Sequence, residues 1–288
     1  MSKIAVVTDS NAGITMEEAK KLGIYVVPMP FTIDGKDYFE GVNLNHEQFF
    51  EMLEQGAEVF TSQPAIGDVA KIWDEALQEY DEIVHIPMSS GLSGSCQSAN
   101  MLASEYGDKV QVVDSQRISV TQKYDVLDAL KLAEAGKSAK EIKEILEENK
   151  FNATIYIAVN TLDYLKKGGR ITPAVYLLGN MLKIKPILKI RGEKLDTFQK
   201  TRTMAKAEKI MLDALAEDID HLIGVDGNKE ITRVAVAYTT NEEEALKVKE
   251  QLEELYPENE VVCDKLSLSI SCHTGPNAIG IGALKKII

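Results

Sequence analysis

The chain has 288 residues, 44% of them hydrophobic, enough to bury a sizeable core and better suited to two ordinary domains than to one. Its formal charge of −13 and pI near 4.9 repel nucleic-acid phosphates and anionic lipid surfaces, so neither nucleic acid nor integral membrane association is expected. The charge is uneven, with +9 between Lys166 and Lys209 and −22 over the remainder. Such a basic stretch suits docking of an acidic or phosphate-bearing partner, and equally a solvated surface of the other sign.

Cys96, Cys263 and Cys272 show no C-x-x-C spacing, which argues against a disulfide framework or a zinc site and for thiols kept reduced, hence a cytoplasmic protein. The opening residues have too short an apolar stretch for a signal peptide and read as a strand. Between Leu266 and Leu284 no residue is charged, yet the serines and glycines make the stretch too polar and broken to span a membrane. It reads as a strand entering a tight loop.

In chain order, the strand Ile4–Val7 is followed by a helix opened by Thr15 and closed near Gly23, then by the strand Ile24–Val27. Phe31–Phe39 reads as a β-like stretch turning at Asp34-Gly35, followed by a helix capped by Asn45, and 28–56 as a small β/helix insertion. The alternation resumes with a helix through Ile72, Trp73 and Leu77, the strand Ile83–Pro87, a helix from about Ser93 to Tyr106 and the strand Val110–Val113. Helices then run to Asn149, the last opened by the capping box Ser138-x-x-Glu141. Phe31, Phe49, Phe50, Leu53, Leu92 and Ile279 suit the lining or gate of an apolar ligand pocket, and read better as ordinary core.

From Phe151 the pattern changes. The strand Ile155–Val159 leads to helices at Leu162–Lys167 and Pro173–Leu182, then to paired strands Ile184–Ile190 and Leu195–Thr201 around Arg191-Gly192-Glu193-Lys194. A helix near Ala205–Ala216, the strand Val234–Tyr238, the helix Glu242–Leu255 and the strand Glu260–Leu266 follow. The expected fold class is α/β: an N-terminal parallel-sheet α/β/α domain over 1–150 and an α+β domain over 151–288, with ligands at the carboxyl ends of the parallel strands.

Four segments break this regularity. Thr61-Ser62-Gln63-Pro64 precedes a helix and reads most simply as an N-cap, although a cap explains one hydroxyl and not two. Pro87-Met88-Ser89-Ser90-Gly91-Leu92-Ser93-Gly94-Ser95 follows a strand and opens a helix, where N–H groups and hydroxyls can converge on a carboxylate or phosphate. Leu165-Lys166-Lys167-Gly168-Gly169-Arg170-Ile171 pairs two glycines with cations. His273-Thr274-Gly275-Pro276-Asn277-Ala278-Ile279-Gly280 ends a strand and offers one imidazole, in isolation more often structural than functional.

Together with the opening Val7-Thr8-Asp9-Ser10, the run from Leu162 through Ile171 and the closing Gly275–Gly282, these segments resemble the DegV family over essentially the whole chain. The resemblance implies a fatty-acid-binding protein, resembling the binding subunit of the bacterial fatty acid kinase. By the same resemblance the lipid is expected between the two domains, its carboxylate on Thr61 or Ser62, Ser93 and the backbone of Gly94, with His273 as a further donor. It also implies that the chain is not itself an enzyme and needs no cofactor beyond the bound long-chain fatty acid. The resemblance further implies that ATP and metal belong to the catalytic subunit of the kinase, expected to dock at Arg170 and Arg202 and to form an acyl phosphate for phospholipid synthesis.

The alternative is a serine hydrolase acting on an acyl ester through Ser93 and His273. Gly91-Leu92-Ser93-Gly94-Ser95 misses the G-x-S-x-G elbow at its last position, and the sequence identifies no acidic third member. A nucleotide-binding kinase is less favoured still, since no G-x-x-x-x-G-K-[ST] loop is present.

Overall fold

The computed structural model describes residues 2–171, 184–223 and 232–288; the helix expected at Pro173–Leu182 lies outside them. The chain forms two compact units, Met1–Lys150 with Ile287–Ile288, and Phe151–Lys286.

In the first unit the strands β1 (Ile4–Asp9), β2 (Tyr25–Val27), β6 (Glu82–Ile86) and β7 (Val110–Val112) form a parallel sheet in the order β2-β1-β6-β7. Alternate strand residues face opposite sides, as the strand period of two requires. Ala5, Val7 and Ile83 pack with Val69 and Trp73 of α3 (Ile66–Ala76) and with Cys96 and Ala99 of α4 (Ser95–Ala103). Val6, Val84 and Ile86 pack instead with Ala19 of α1 (Met16–Leu22), Val126 and Ala129 of α5 (Val120–Glu134), and Ile142 and Leu146 of α6 (Ala139–Glu148). The result is the α/β/α sandwich that the alternation implies.

The helix ends are chemically marked. Thr15 Oγ1 accepts the Glu18 N–H at 3.1 Å, and Gly23 closes α1 in the left-handed region at φ 68°. Full capping boxes open α2 (His46–Glu54), through Asn45 and Gln48, and α6, through Ser138 and Glu141.

A second small sheet, β4-β3-β5, comprises β3 (Pro30–Ile33), β4 (Lys36–Phe39) and β5 (Val59–Thr61). Asp34 and Gly35, at φ 50° and 77°, make the tight turn of its hairpin. Phe31 meets Phe49 of α2 edge to face at 5.8 Å, and Phe49 meets Phe50 at 5.0 Å, so these rings form core. The three-residue strand β5 was not expected. Its pairing of Thr61 with Phe31 turns the start of the Thr61–Pro64 segment into a sheet edge.

The second unit is a six-stranded mixed sheet, β10-β9-β8-β13-β11-β12. Its strands are β8 (Ala153–Ala158), β9 (Lys185–Arg191), β10 (Lys194–Thr201), β11 (Thr232–Tyr238), β12 (Val262–Lys265) and β13 (Ile279–Lys285). Helices α8 (Met204–Asp218) and α9 (Glu242–Leu255) bury Ala207, Met211, Leu215, Ala245, Val248 and Leu252 against one cluster of sheet side chains, including Tyr156, Val234, Val236 and Ile281.

One expectation is corrected here. Residues 266–273 do not form a strand that ends at His273; Leu268–Thr274 is a helix, α10, and the strand β13 follows it. Leu266, Leu268, Ile270 and Cys272 alternate with Ser267, Ser269, Ser271 and His273, a strand-like period, but Ser267 Oγ accepts the Ile270 N–H at 3.3 Å and nucleates a helix.

Behind the parallel sheet, Arg117 and Asp125 form a fully buried ion pair, and the Arg117 guanidinium also donates to the Asn149 carbonyl at 2.8 Å. Replacing one partner strands the other charge in a low-dielectric interior. Arg117→Met should therefore lower unfolding free energy by about 3–5 kcal/mol, read from urea denaturation.

Candidate functional site

The carboxyl ends of β1 and β6 converge on Asp9. Its carboxylate accepts the Asn11 N–H at 3.0 Å, the Met88 N–H at 2.7 Å and the Gln122 side-chain amide at 3.3 Å. Despite these donors, burial raises its pKa to about 6. Asp9 thereby fixes the point at which the chain leaves β6 and enters the serine-rich segment.

That segment is tightly built. The Ser90 hydroxyl donates to Asp114 Oδ2 at 2.6 Å, the Ser89 N–H to the Arg117 carbonyl at 2.8 Å, and the Asp114 N–H to Glu147 Oε1 at 3.0 Å. Most of its backbone donors are turned inward: the Leu92 and Ser93 N–H groups go to the Ser89 carbonyl, Gly91 N–H to Ser89 Oγ, and Ser95 N–H to Ser93 Oγ at 3.2 Å. The expected convergence of many N–H groups on an anion therefore narrows to hydroxyls and the Gly94 N–H, which has no acceptor among the described residues.

Thr61 and Ser62 do not cap a helix. Helix α3 begins four residues beyond Ser62, with Ala65 at its N-cap and no side-chain cap, because β5 holds Thr61 and the Ser62 N–H donates to the Pro30 carbonyl at 3.3 Å. Helix α4 likewise starts at Gly94 without a side-chain cap, whereas α1, α2 and α6 are capped by Thr15, Asn45 and Ser138. An uncapped helix start leaves N–H groups without a capping side chain at the positive end of the dipole, although in α4 Ser93 Oγ takes the Ser95 N–H. The two segments adjoin: a Cβ on Gly94 would lie 2.8 Å from Gln63 Oε1, the end of an exposed and flexible side chain. Thr61 and Ser93 are half-buried, and Ser62 and Gly94 exposed.

In the second unit the other two segments meet. Helix α7 (Asp163–Lys167) ends at Gly168, where an added Cβ would lie 2.0 Å from His273 Nδ1, and at Gly275, φ 69°, it would lie 2.3 Å from the Tyr164 ring. Arg170 donates to the Gly168 carbonyl at 2.5 Å. Burial, and then the Arg170 charge, lower the His273 pKa to about 4, so the imidazole is neutral at pH 7 and donates through only one nitrogen. Arg202 is exposed between β10 and Thr203, the N-cap of α8. Sequence reading did not single out Asp9 and Asp114 for their anchoring roles, which depend on partners 79 and 24 residues away.

Two outcomes test this geometry. The Asp9 pKa lies above its unfolded value, so the native state holds this proton more tightly and its contribution to stability is lost as pH rises from about 4 to about 6. The stability difference between the wild type and Asp9→Asn should shrink over that window by up to about 3 kcal/mol in denaturant titrations. Gly168→Ala, whose backbone tolerates a side chain, should displace the His273 ring and shift its NMR resonances. Gly169→Ala, at φ 70° with open space around it, should cost about 1 kcal/mol of strain and leave the ring in place.

A DegV family model, described as one of uncharacterised proteins, matches residues 3–286. A DegV domain-containing protein of Staphylococcus aureus (strain N315) is 32% identical over 286 residues, covering 99% of this chain and 100% of its own. A Thermus thermophilus structure described as showing fatty acid binding of a DegV family protein superimposes with TM-score 0.89 at 30% identity, over 98% of this chain and 99% of that one. DegV of Bacillus subtilis, described as a fatty acid binding protein, gives TM-score 0.87 at 32% identity, over 99% and 100%. Matched from end to end by the family model and by relatives of the same length and fold, the chain belongs to the DegV family.

Proposed function

We propose that this protein is a cytoplasmic carrier that buries a long-chain fatty acid and presents its carboxylate to a separate kinase, which phosphorylates it with ATP to an acyl phosphate for phospholipid synthesis. The observation that carries the reading is the meeting of two hydroxyl-bearing segments at two uncapped helix starts, in a chain whose solved relatives are described as fatty acid binding. The carboxylate is held by the hydroxyls of Thr61 or Ser62 and Ser93 and by the Gly94 N–H, with His273 as a further donor.

The physical logic separates tail from head. Each buried methylene contributes about 0.8 kcal/mol, so a long tail supplies on the order of 10 kcal/mol before association costs. An unpaired buried carboxylate would cost several kcal/mol, and the polar cluster removes that penalty. Neutral hydroxyl and imidazole donors orient the carboxylate without neutralising it, as a nucleophile facing a γ-phosphate requires. The kinase supplies ATP and metal and docks through Arg170 and Arg202, so this chain is the binding subunit and not itself an enzyme.

Mass spectrometry of the organic extract from denatured, purified protein should find stoichiometric fatty acid. Its absence, with failure to reload, sinks the carrier reading. Ser93→Ala should weaken retention by about tenfold, the loss of one hydrogen bond to a charged group. With a fatty acid kinase present, Arg202→Ala should slow acyl-phosphate formation several-fold and leave retention unchanged. Turnover of acyl esters by the isolated chain, abolished by Ser93→Ala, would establish the hydrolase instead.

A further inference from the structure

Beneath the serine-rich segment, within the first unit, lies a cavity of about 10 Å³, the room a single water needs. Asp9, His85 and Ser95 line it together with Pro64, Ile66 and Val69. His85 is 3% exposed and Ser95 7%, and neither ring nitrogen of His85 nor Ser95 Oγ has a hydrogen-bond partner among the described residues. Trp73 packs edge to face on the His85 ring at 5.4 Å, which fixes its plane. His85 and Ser95, both lining this one small space, thus carry buried polar atoms without protein partners. Native interiors seldom leave such groups unsatisfied, and an internal water with two to four polar neighbours is their usual solution.

We propose that this cavity is a hydration site holding one water molecule between His85, Ser95 and Asp9. Burial lowers the His85 pKa to about 3, so its ring is neutral, with one nitrogen donating and the other accepting. The Ser95 hydroxyl does either. A water is the ligand of matching size that both donates and accepts, whereas a cation or anion of that size would enter a mostly apolar pocket at high desolvation cost. The site ties the carboxyl ends of β1 and β6 to the first turn of α4, directly beside the Ser93–Gly94 pair. It rests on residues of the protein alone and not on the fatty-acid reading.

NMR of the wild-type protein tests it. Cross-relaxation between water and the His85 ring protons is expected, and water-oxygen relaxation dispersion should count one fewer long-lived internal water in the His85→Phe, Ser95→Ala double variant. Absence of the water–His85 cross-peak in the wild type, which needs no variant to fold, overturns the proposal. So does an unchanged count in a folded double variant. Extracted lipid, measured on the same wild-type sample, reports on the carrier reading separately.

Discussion

The arrangement of the first unit depends on a buried carboxylate at the end of its central strand pair. Asp9 terminates β1, and a carboxylate removed from water must recruit donors or lose its charge. It recruits them from three places: Asn11 one turn on, Met88 just past β6, and Gln122 on α5. Gln122 also donates to Thr8 Oγ1 and to the Ile86 carbonyl, so one side chain closes the ends of two strands against a helix. Few other residue types could hold three such elements at one point.

From that point the serine-rich segment is held by ordered partners rather than by its own flexible composition. Asp114 fixes Ser90, Glu147 fixes Asp114, and the Arg117 carbonyl fixes Ser89, while the Arg117 side chain is clamped by Asp125 and the Asn149 carbonyl. Gln116 and Ser119 flank this clamp in the left-handed region, at φ 56° and 57°, a local cost sustained by the network around them. A rigid support of this kind lets short side chains such as Ser93 present a hydroxyl at a defined place without further ordering cost when a ligand arrives.

In the second unit glycines bring polar segments together. Gly168 removes the side chain that would separate the end of α7 from the His273 ring. Gly168 has an ordinary negative φ of −74°, so space and not backbone conformation is what demands glycine there. Gly275 combines both demands, with φ 69° and the Tyr164 ring in the way.

Read in isolation, the sequence determines much of this protein. Hydrophobic period and capping residues are local properties, so the β-strand and helix alternation, the Thr15, Asn45 and Ser138 caps and the Asp34-Gly35 turn are all legible from neighbours a few residues apart. The four unusual segments are visible too, because hydroxyls, glycines and a histidine interrupt an otherwise regular pattern. What only the tertiary structure decided is how those groups are used. It placed Thr61 on a sheet edge by pairing it with Phe31, turned the loop N–H groups inward, set His273 on a helix despite a strand-like alternation, and made Asp9 and Asp114 anchors. Each of those outcomes is a competition for hydrogen bonds in which at least one contender is distant in sequence or depends on the final packing, and a linear pattern carries no record of which one wins.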